Sequence, residues 1–257
     1  MSRAAAAALL ATAAPSPGAA AAPAGIGLSA TPARMTLVGA AHATITVRNP
    51  GSRALLVAAA PAGLTLSTHG KPRVAAGRAA RGVASWLRVR PRRLLVGPGR
   101  ASTLRVVSTP PRSARPGDHP TLIVLTTRPL GATRVRVRLR VGVVLDLRVP
   151  GRIVRRLRPL GLGMRRHGGS RLFELRLANR GNVTERLDGG RLRLVLVHRR
   201  RPVAAVSPLP RELLPGGTGV VDFVYRGHLH GPIRIRLEIR LRAGGRVLGR
   251  RTYRLRL

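Results

Sequence analysis

From Trp86 to Thr127 the chain reads WLRVRPRRLLVGPGRASTLRVVSTPPRSARPGDHPTLIVLTT, and this stretch constrains the fold more than any other. Short apolar and β-branched runs (Leu87 and Val89; Leu104, Val106 and Val107; Leu122 to Leu125) are cut by Pro91, Gly97-Pro98-Gly99, Pro110-Pro111 and Pro116-Gly117. Apolar residues at this spacing, punctuated by proline and glycine, predict strand, turn, strand, bend, strand. A shortened version returns as LLPGGTGVVDFVY (Leu213 to Tyr225), followed by Gly231 to Leu237. Two copies of one β-sandwich unit are therefore expected.

The flanking segments fit that plan. Gly25 to Arg48 alternates at Ile26/Leu28 and from Thr44 to Arg48, and Asn49-Pro50-Gly51-Ser52 then turns the chain into Ala54 to Ala59, which predicts a hairpin-like opening. Trp86 is expected as a core plug. In Arg134-Val-Arg-Val-Arg-Leu-Arg-Val the period is strictly two: Val135, Val137, Leu139 and Val141 share one face, Arg134, Arg136, Arg138 and Arg140 the other, spaced by roughly 6.6 Å. The pattern runs on through Leu145 and Leu147 to Pro150-Gly151, where the first unit is expected to end. In the second unit Phe173 to Ala178 ends in Asn179-Arg180-Gly181-Asn182, the counterpart of the Asn49 turn, and Leu192–Val197, Val220–Tyr225, Ile233–Leu241 and Arg246–Leu257 supply further strands. Asn49 and Leu94 are 45 residues apart but Asn179 and Leu213 only 34, so the second copy has shorter loops. No helix-period segment follows the leader. The expected class is all-β: a leader (1–24), a first immunoglobulin-like sandwich (25–149) and a second (150–257).

Composition narrows the chemistry. Lys and Arg number 48 against 8 Asp and Glu in 257 residues, a formal charge of +40, and Lys71 is the single lysine. Since no acid occurs before Asp118, the first unit must separate its arginines or meet anions from outside the chain. The absence of cysteine excludes disulfides, thiolate metal sites and cysteine nucleophiles. Two Phe, two Tyr and one Trp are few for a protein that stacks single-stranded bases, so a nucleic-acid role rests on charge alone. Met1 to Ala24 combines Arg3, an Ala/Leu run and a Pro/Ala tail, the parts of a secretory signal. No later run approaches the roughly 20 apolar residues of a transmembrane helix.

The turn residues resemble a known family. Ile45-Thr-Val-Arg-Asn-Pro-Gly, the block from Trp86 through Val89-Arg-Pro, Leu95-Val-Gly-Pro-Gly, and Pro111 through Ala114-Arg-Pro-Gly-Asp look like the N-terminal, peptidoglycan-binding domain of the bacterial cell-surface proteins that interact with WxL proteins, a domain related to pilus chaperones. Leu177-Ala-Asn-Arg-Gly-Asn-Val and Leu213-Leu-Pro-Gly resemble the sandwich that follows it. The resemblance implies a non-catalytic, exported cell-envelope protein. Pilus chaperones resemble the opening too, with Arg34 standing where they carry a subunit-anchoring arginine, which implies binding by strand addition.

Catalytic equipment is sparse. Glu174, Glu185, Asp188, Glu212, Asp222 and Glu238 are expected as surface ion pairs among arginines. His228-Leu229-His230 supplies only half a zinc site and reads as a turn, and Gly97-Pro98-Gly99 and Gly216 to Gly219 read as hairpin turns rather than phosphate cradles. Asn182-Val183-Thr184 fits a glycosylation acceptor but is expected to serve its own turn. No catalytic, metal or cofactor site is expected. The expected binding faces are arginine rows (Arg134, Arg136, Arg138, Arg140; Arg234, Arg236, Arg240, Arg242) laid against peptidoglycan or an anionic wall polymer, with Arg34 marking an edge for a cell-surface protein partner. The alternatives are an assembly chaperone and a basic nucleic-acid binder.

Overall fold

A computed structural model describes residues 27–75, 82–129, 138–227, 231–240 and 245–256. The leader, Arg134, Arg136, Arg242, His228 and His230 lie outside the described residues. The first part supplies ten strands: β1 (Ser29–Thr31), β2 (Arg34–Val38), β3 (Ala41–Arg48), β4 (Leu55–Leu66), β5 (Pro72–Val74), β6 (Leu87–Arg90), β7 (Arg93–Val96), β8 (Ala101–Ser108), β9 (Gly117–Pro129) and β10 (Arg140–Val149). One 3-10 turn, Val83–Trp86, precedes β6. The second part supplies nine: β11 (Leu157–His167), β12 (Ser170–Asn179), β13 (Glu185–Arg186), β14 (Leu192–His198), β15 (Arg201–Val206), β16 (Glu212–Leu213), β17 (Thr218–Tyr225), β18 (Pro232–Arg240) and β19 (Val247–Arg256).

Strands with one apolar face must press that face against another. In the first unit the sheet β1-β3-β8-β6 covers the sheet β2-β10-β9-β4, to which β5 and β7 add along β4. Ile45 and Val47 of β3, Leu55 and Val57 of β4, Leu104 and Val106 of β8, and Val143, Leu145 and Leu147 of β10 meet in one core without solvent exposure. Trp86 packs partly buried against it, its ring centroid 4.7 Å from that of His119. In the second unit β11-β12-β17 faces β15-β14-β18-β19, with β13-β16 as a small ribbon. Phe173, Leu175, Leu194, Leu196, Phe223, Ile235 and Leu237 fill that second core. The fold is all-β, two immunoglobulin-like sandwiches in series.

The expected hairpin at Asn49 is not one. β3 pairs with β8, whereas β4 pairs with β9 and β7 in the opposite sheet, so the turn carries the chain across the sandwich. Each strand has a single apolar face, and placing them in opposite layers buries both faces against one another. The Asn49 side chain makes the crossing rigid. Its Nδ2 donates to the carbonyls of Arg53 (2.7 Å) and Val96 (3.1 Å), and its Oδ1 accepts the Gly51 N–H at 3.0 Å. Asn179 repeats the device: Nδ2 donates to Val183 (2.8 Å) and Leu213 (3.0 Å), and Oδ1 accepts from Gly181 at 2.9 Å. The structural counterpart of Leu213 is thus Val96 rather than Leu94, two residues beyond the sequence landmark.

Both asparagines are fully buried, so truncation strands backbone carbonyls that water cannot reach. Asn49→Ala and Asn179→Ala are each expected to lower unfolding stability by roughly 2–4 kcal/mol in urea titrations, whereas replacing the exposed Asp188, which makes no side-chain bond of this kind, is expected to change it by less than about 0.5 kcal/mol.

Candidate functional site

The two sandwiches meet through a seam of carboxylates. Gly117 opens β9 at φ 124°, and a Cβ there would lie 2.1 Å from the Asn182 carbonyl of the other sandwich, so this approach requires glycine. The next N–H, of Asp118, donates to that same carbonyl at 2.7 Å. The Asp118 carboxylate receives Nε and Nη2 of Arg148 at 2.7 and 3.0 Å and the Thr184 N–H at 2.9 Å. Asn182 donates through Nδ2 to the carbonyls of Pro116 (2.9 Å) and Arg152 (2.8 Å) and accepts the Val154 N–H through Oδ1. Its side chain therefore fastens the connector and the first sandwich rather than its own turn, contrary to the sequence expectation; the bend after Asn179 is already served by the Asn179 side chain.

Arg34, first residue of β2, lies at the centre of this seam. Its Nε donates to Asp146 Oδ2 at 3.1 Å within its own sandwich, and its Nη1 bonds Glu212 of the other. Thr184 Oγ1 donates to the second Asp146 oxygen at 3.2 Å, and Arg186 approaches Glu212 at 3.7 Å. Glu185, fully buried, takes Arg155 of the connector at 3.1 Å and Arg191 at 2.9 Å. Arg34, Asp118, Asp146, Arg148, Arg155 and Thr184 line a cavity of about 250 Å³. Burial pushes the Asp146 carboxyl above its ordinary value; Arg34 opposes this, and the charge of Asp118 adds to it. Burial alone would lower Arg34, but the Glu212 hydrogen bond and the charges of Asp146 and Glu212 raise it overall. A second contact comes from Arg211, whose Nη2 donates to the Thr68 carbonyl at 2.7 Å, alongside a bond from the Val220 N–H at 2.9 Å. Burial lowers the Arg211 pKa.

Beside Arg34 the sheet is incomplete. β10 pairs with β9 along its whole length, from Arg140 to Val149, but with β2 only from Val144 to Arg148. The Val144 N–H turns toward β2, bonding the Ala33 carbonyl at 3.0 Å, and the Leu139 carbonyl turns toward β9. By alternation the N–H and C=O groups of Arg140 and Gly142 point away from β9, and among the described residues no strand receives them. Gly142 is solvent-exposed, whereas Val143 beside it is buried. The gap exists because the chain leaves this sheet ahead of Arg34: β1 has already joined β3 in the opposite layer.

The expected arginine rows divide. Arg138 and Arg140 are exposed beside the open edge. Arg234, Arg236 and Arg240 share the outer face of β18, but Arg236 (3.4 Å) and Arg240 (2.8 Å) close on Glu238, whose side chain is only 7% exposed. The hydrogen bond from Arg240 holds the Glu238 carboxyl below its usual range despite its burial, helped by the charges of Arg240, Arg236 and Arg250. Glu185 and Glu238 thus form buried pairs, not the surface pairs expected: cross-strand register sets Glu238 between Arg193 and Arg250, whereas Glu185, opposite Leu213, is met by Arg155 from the connector and Arg191 from the turn before β14. Sequence reasoning also missed Thr184 and the joining of Asp118, Asp146 and Glu212, which depends on contacts between residues up to 178 positions apart.

No protein-family model matches the chain, and no curated protein matches it. Among the solved structures that share its fold are two from fimbrial systems. The class 5 fimbriae chaperone CfaA aligns with TM-score 0.51 at 9% identity, over 90% of this chain and 100% of its own. A chain from a chaperone–tip adhesin complex of CFA/I fimbriae aligns with TM-score 0.50 at 9% identity, over 89% and 98%. At that identity the likeness is one of fold: two immunoglobulin-like sandwiches in the same succession.

Removing Arg34 leaves Asp146 half-compensated in a buried setting. Arg34→Met is expected to lower stability by roughly 2 kcal/mol at pH 7, and adding Asp146→Asn to recover about half of that. The folded pKa of Asp146 lies above its unfolded value, so its favourable contribution is complete below about pH 4 and declines as pH rises through the folded value. Urea midpoints followed from pH 4 to 8 should therefore fall less steeply for Asp146→Asn than for the parent.

Proposed function

We propose that this chain binds a partner protein by strand addition along the open edge of β10, acting in the cell envelope as an assembly chaperone does. One observation carries the reading: Arg140 to Val143 form a strand bonded on one side to β9 and, among the described residues, to nothing on the other. An extended segment laid there would take main-chain hydrogen bonds from Arg140 and Gly142, with no side-chain complementarity needed for the first contact. Exposed Arg138 and Arg140 favour an acidic partner strand. The likeness of fold to a fimbrial chaperone and to a chain of a chaperone–adhesin complex supports the same mode, and the signal-like composition of residues 1–24 fits the cell envelope.

Arg34 limits how such a strand could end. It stands where the free edge stops, but Asp146 and Glu212 already engage its guanidinium, so a partner carboxylate would have to displace Glu212. Arg34 is better understood as the stop of the groove than as its anchor. The reading of the chain as a wall-polymer binder through Arg234, Arg236 and Arg240 has less support, because Glu238 offsets the middle of that row. The resemblance to proteins that interact with WxL proteins fits a surface-protein partner equally well.

Proline at position 142 removes an outward N–H and no bond to β9, so an edge strand tolerates it. A photo-crosslinker at Arg140 in the native host is expected to give one dominant protein adduct, and Gly142→Pro to remove that adduct while changing the melting temperature by no more than about 5 °C. Equal adducts from a crosslinker at exposed Leu209, or an adduct indifferent to Gly142→Pro, would contradict strand addition.

A further inference from the structure

We infer that the outer tip of the sheet β15-β14-β18-β19 is a second binding site, independent of the β10 edge, for a compact anion carrying two or more phosphate groups. The hairpin between β14 and β15 closes with His198 opposite Arg201, leaving Arg199 and Arg200 as its two central residues. Both have positive φ, 46° and 66°. Turns that need positive φ at both centres favour Asn-Gly, and a side-chain-bearing residue is disfavoured at each. Two arginines here oppose the local backbone preference. Strained backbone of this kind concentrates where it positions something for a ligand.

A second opposition lies alongside. Arg234 of β18 and Arg254 of β19 are direct cross-strand partners and both exposed, a like-charge pairing that weakens a sheet. Farther along the same face Glu238, between Arg193 and Arg250 across the strands, relieves the same repulsion. At the tip no acidic side chain does, among the described residues. Every Asp and Glu of the chain lies among the described residues, and none bonds to Arg199, Arg200, Arg234 or Arg254. The four arginines are among the residues lining a groove of about 570 Å³, and no acidic residue lines it.

The ligand class follows from charge density. Cross-strand partners hold their Cα atoms on the order of 5 Å apart, so the Arg234 and Arg254 guanidinium groups can converge on closely spaced negative charges, such as those of a phosphoanhydride. Guanidinium forks match phosphate oxygens two at a time.

Titration calorimetry of the full chain with inorganic tripolyphosphate, at constant ionic strength, tests this directly. One site is expected, with citrate at least tenfold weaker and vesicles of an anionic phospholipid unable to compete. The double variant Arg199→Asn/Arg200→Gly is expected to bind tripolyphosphate at least tenfold more weakly and to melt at a higher temperature, since it relieves both strain and repulsion; Arg254→Thr should weaken binding with the turn intact, and Arg92→Gln on the first sandwich should leave it unchanged. Absence of binding, equal citrate affinity, stronger binding to the vesicles, a double variant that binds as the parent does, or one that melts lower would each overturn the assignment.

Discussion

Arg34 holds the arrangement on which the rest of this structure depends. Its guanidinium joins a carboxylate of its own sandwich, Asp146, to one from the other, Glu212. That side chain thereby stands at two places at once: in the docking seam, beside the Asp118 and Asn182 bonds, and at the point where β2 begins to run beside β10. A partly buried ion pair of this sort contributes modestly to stability, because desolvation and solvent screening offset much of the attraction. Its effect is geometric. Moving the start of β2 by two residues would halve the free stretch of β10 or lengthen it by half.

The charge imbalance of the chain makes this allocation meaningful. With eight acids against 48 basic residues, most arginines have no internal counter-charge. Asp118, Asp146, Glu185 and Glu212 cluster at the seam or its connector, where each meets an arginine, an amide or a hydroxyl from a different part of the chain. The first sandwich is therefore left basic around its open edge, and the tip of the second is left basic around the Arg199–Arg200 turn. Two differently built surfaces result: one offers unpaired backbone, the other unpaired guanidinium groups.

Much of the fold could be read from the residues. Period-two alternation located the strands because burial on one face leaves that imprint in Ile45 and Val47 or Phe173 and Leu175, and the Asn-x-Gly corners at Asn49 and Asn179 marked a repeat because only a short amide side chain can satisfy a turn and a distant carbonyl together. Pairing was less legible. The Asn49 turn looks like a hairpin in sequence, since the choice between neighbouring and opposite layers is made by the whole core, not by the turn. Arg34, Arg138 and Arg140 were singled out without the gap that lies between them, which depends on β1 crossing to the other layer. The burial of Glu238 is not legible because alternation cannot say which strand will stand opposite, and that of Glu185 because its partners Arg155 and Arg191 come from a connector and a turn. The Arg199–Arg200 turn left a faint trace, a two-residue hairpin loop with neither Gly nor Asn.

The free edge of β10 is tested most directly by amide hydrogen exchange resolved by residue across Arg140 to Arg148. The Val141 and Val143 amides, turned toward β9, and the Val144 amide, bonded to Ala33, are predicted to exchange slowly, with Gly142 between them faster by two orders of magnitude or more. Protection of Gly142 equal to that of its neighbours would mean that the edge is already occupied, and the account would fail.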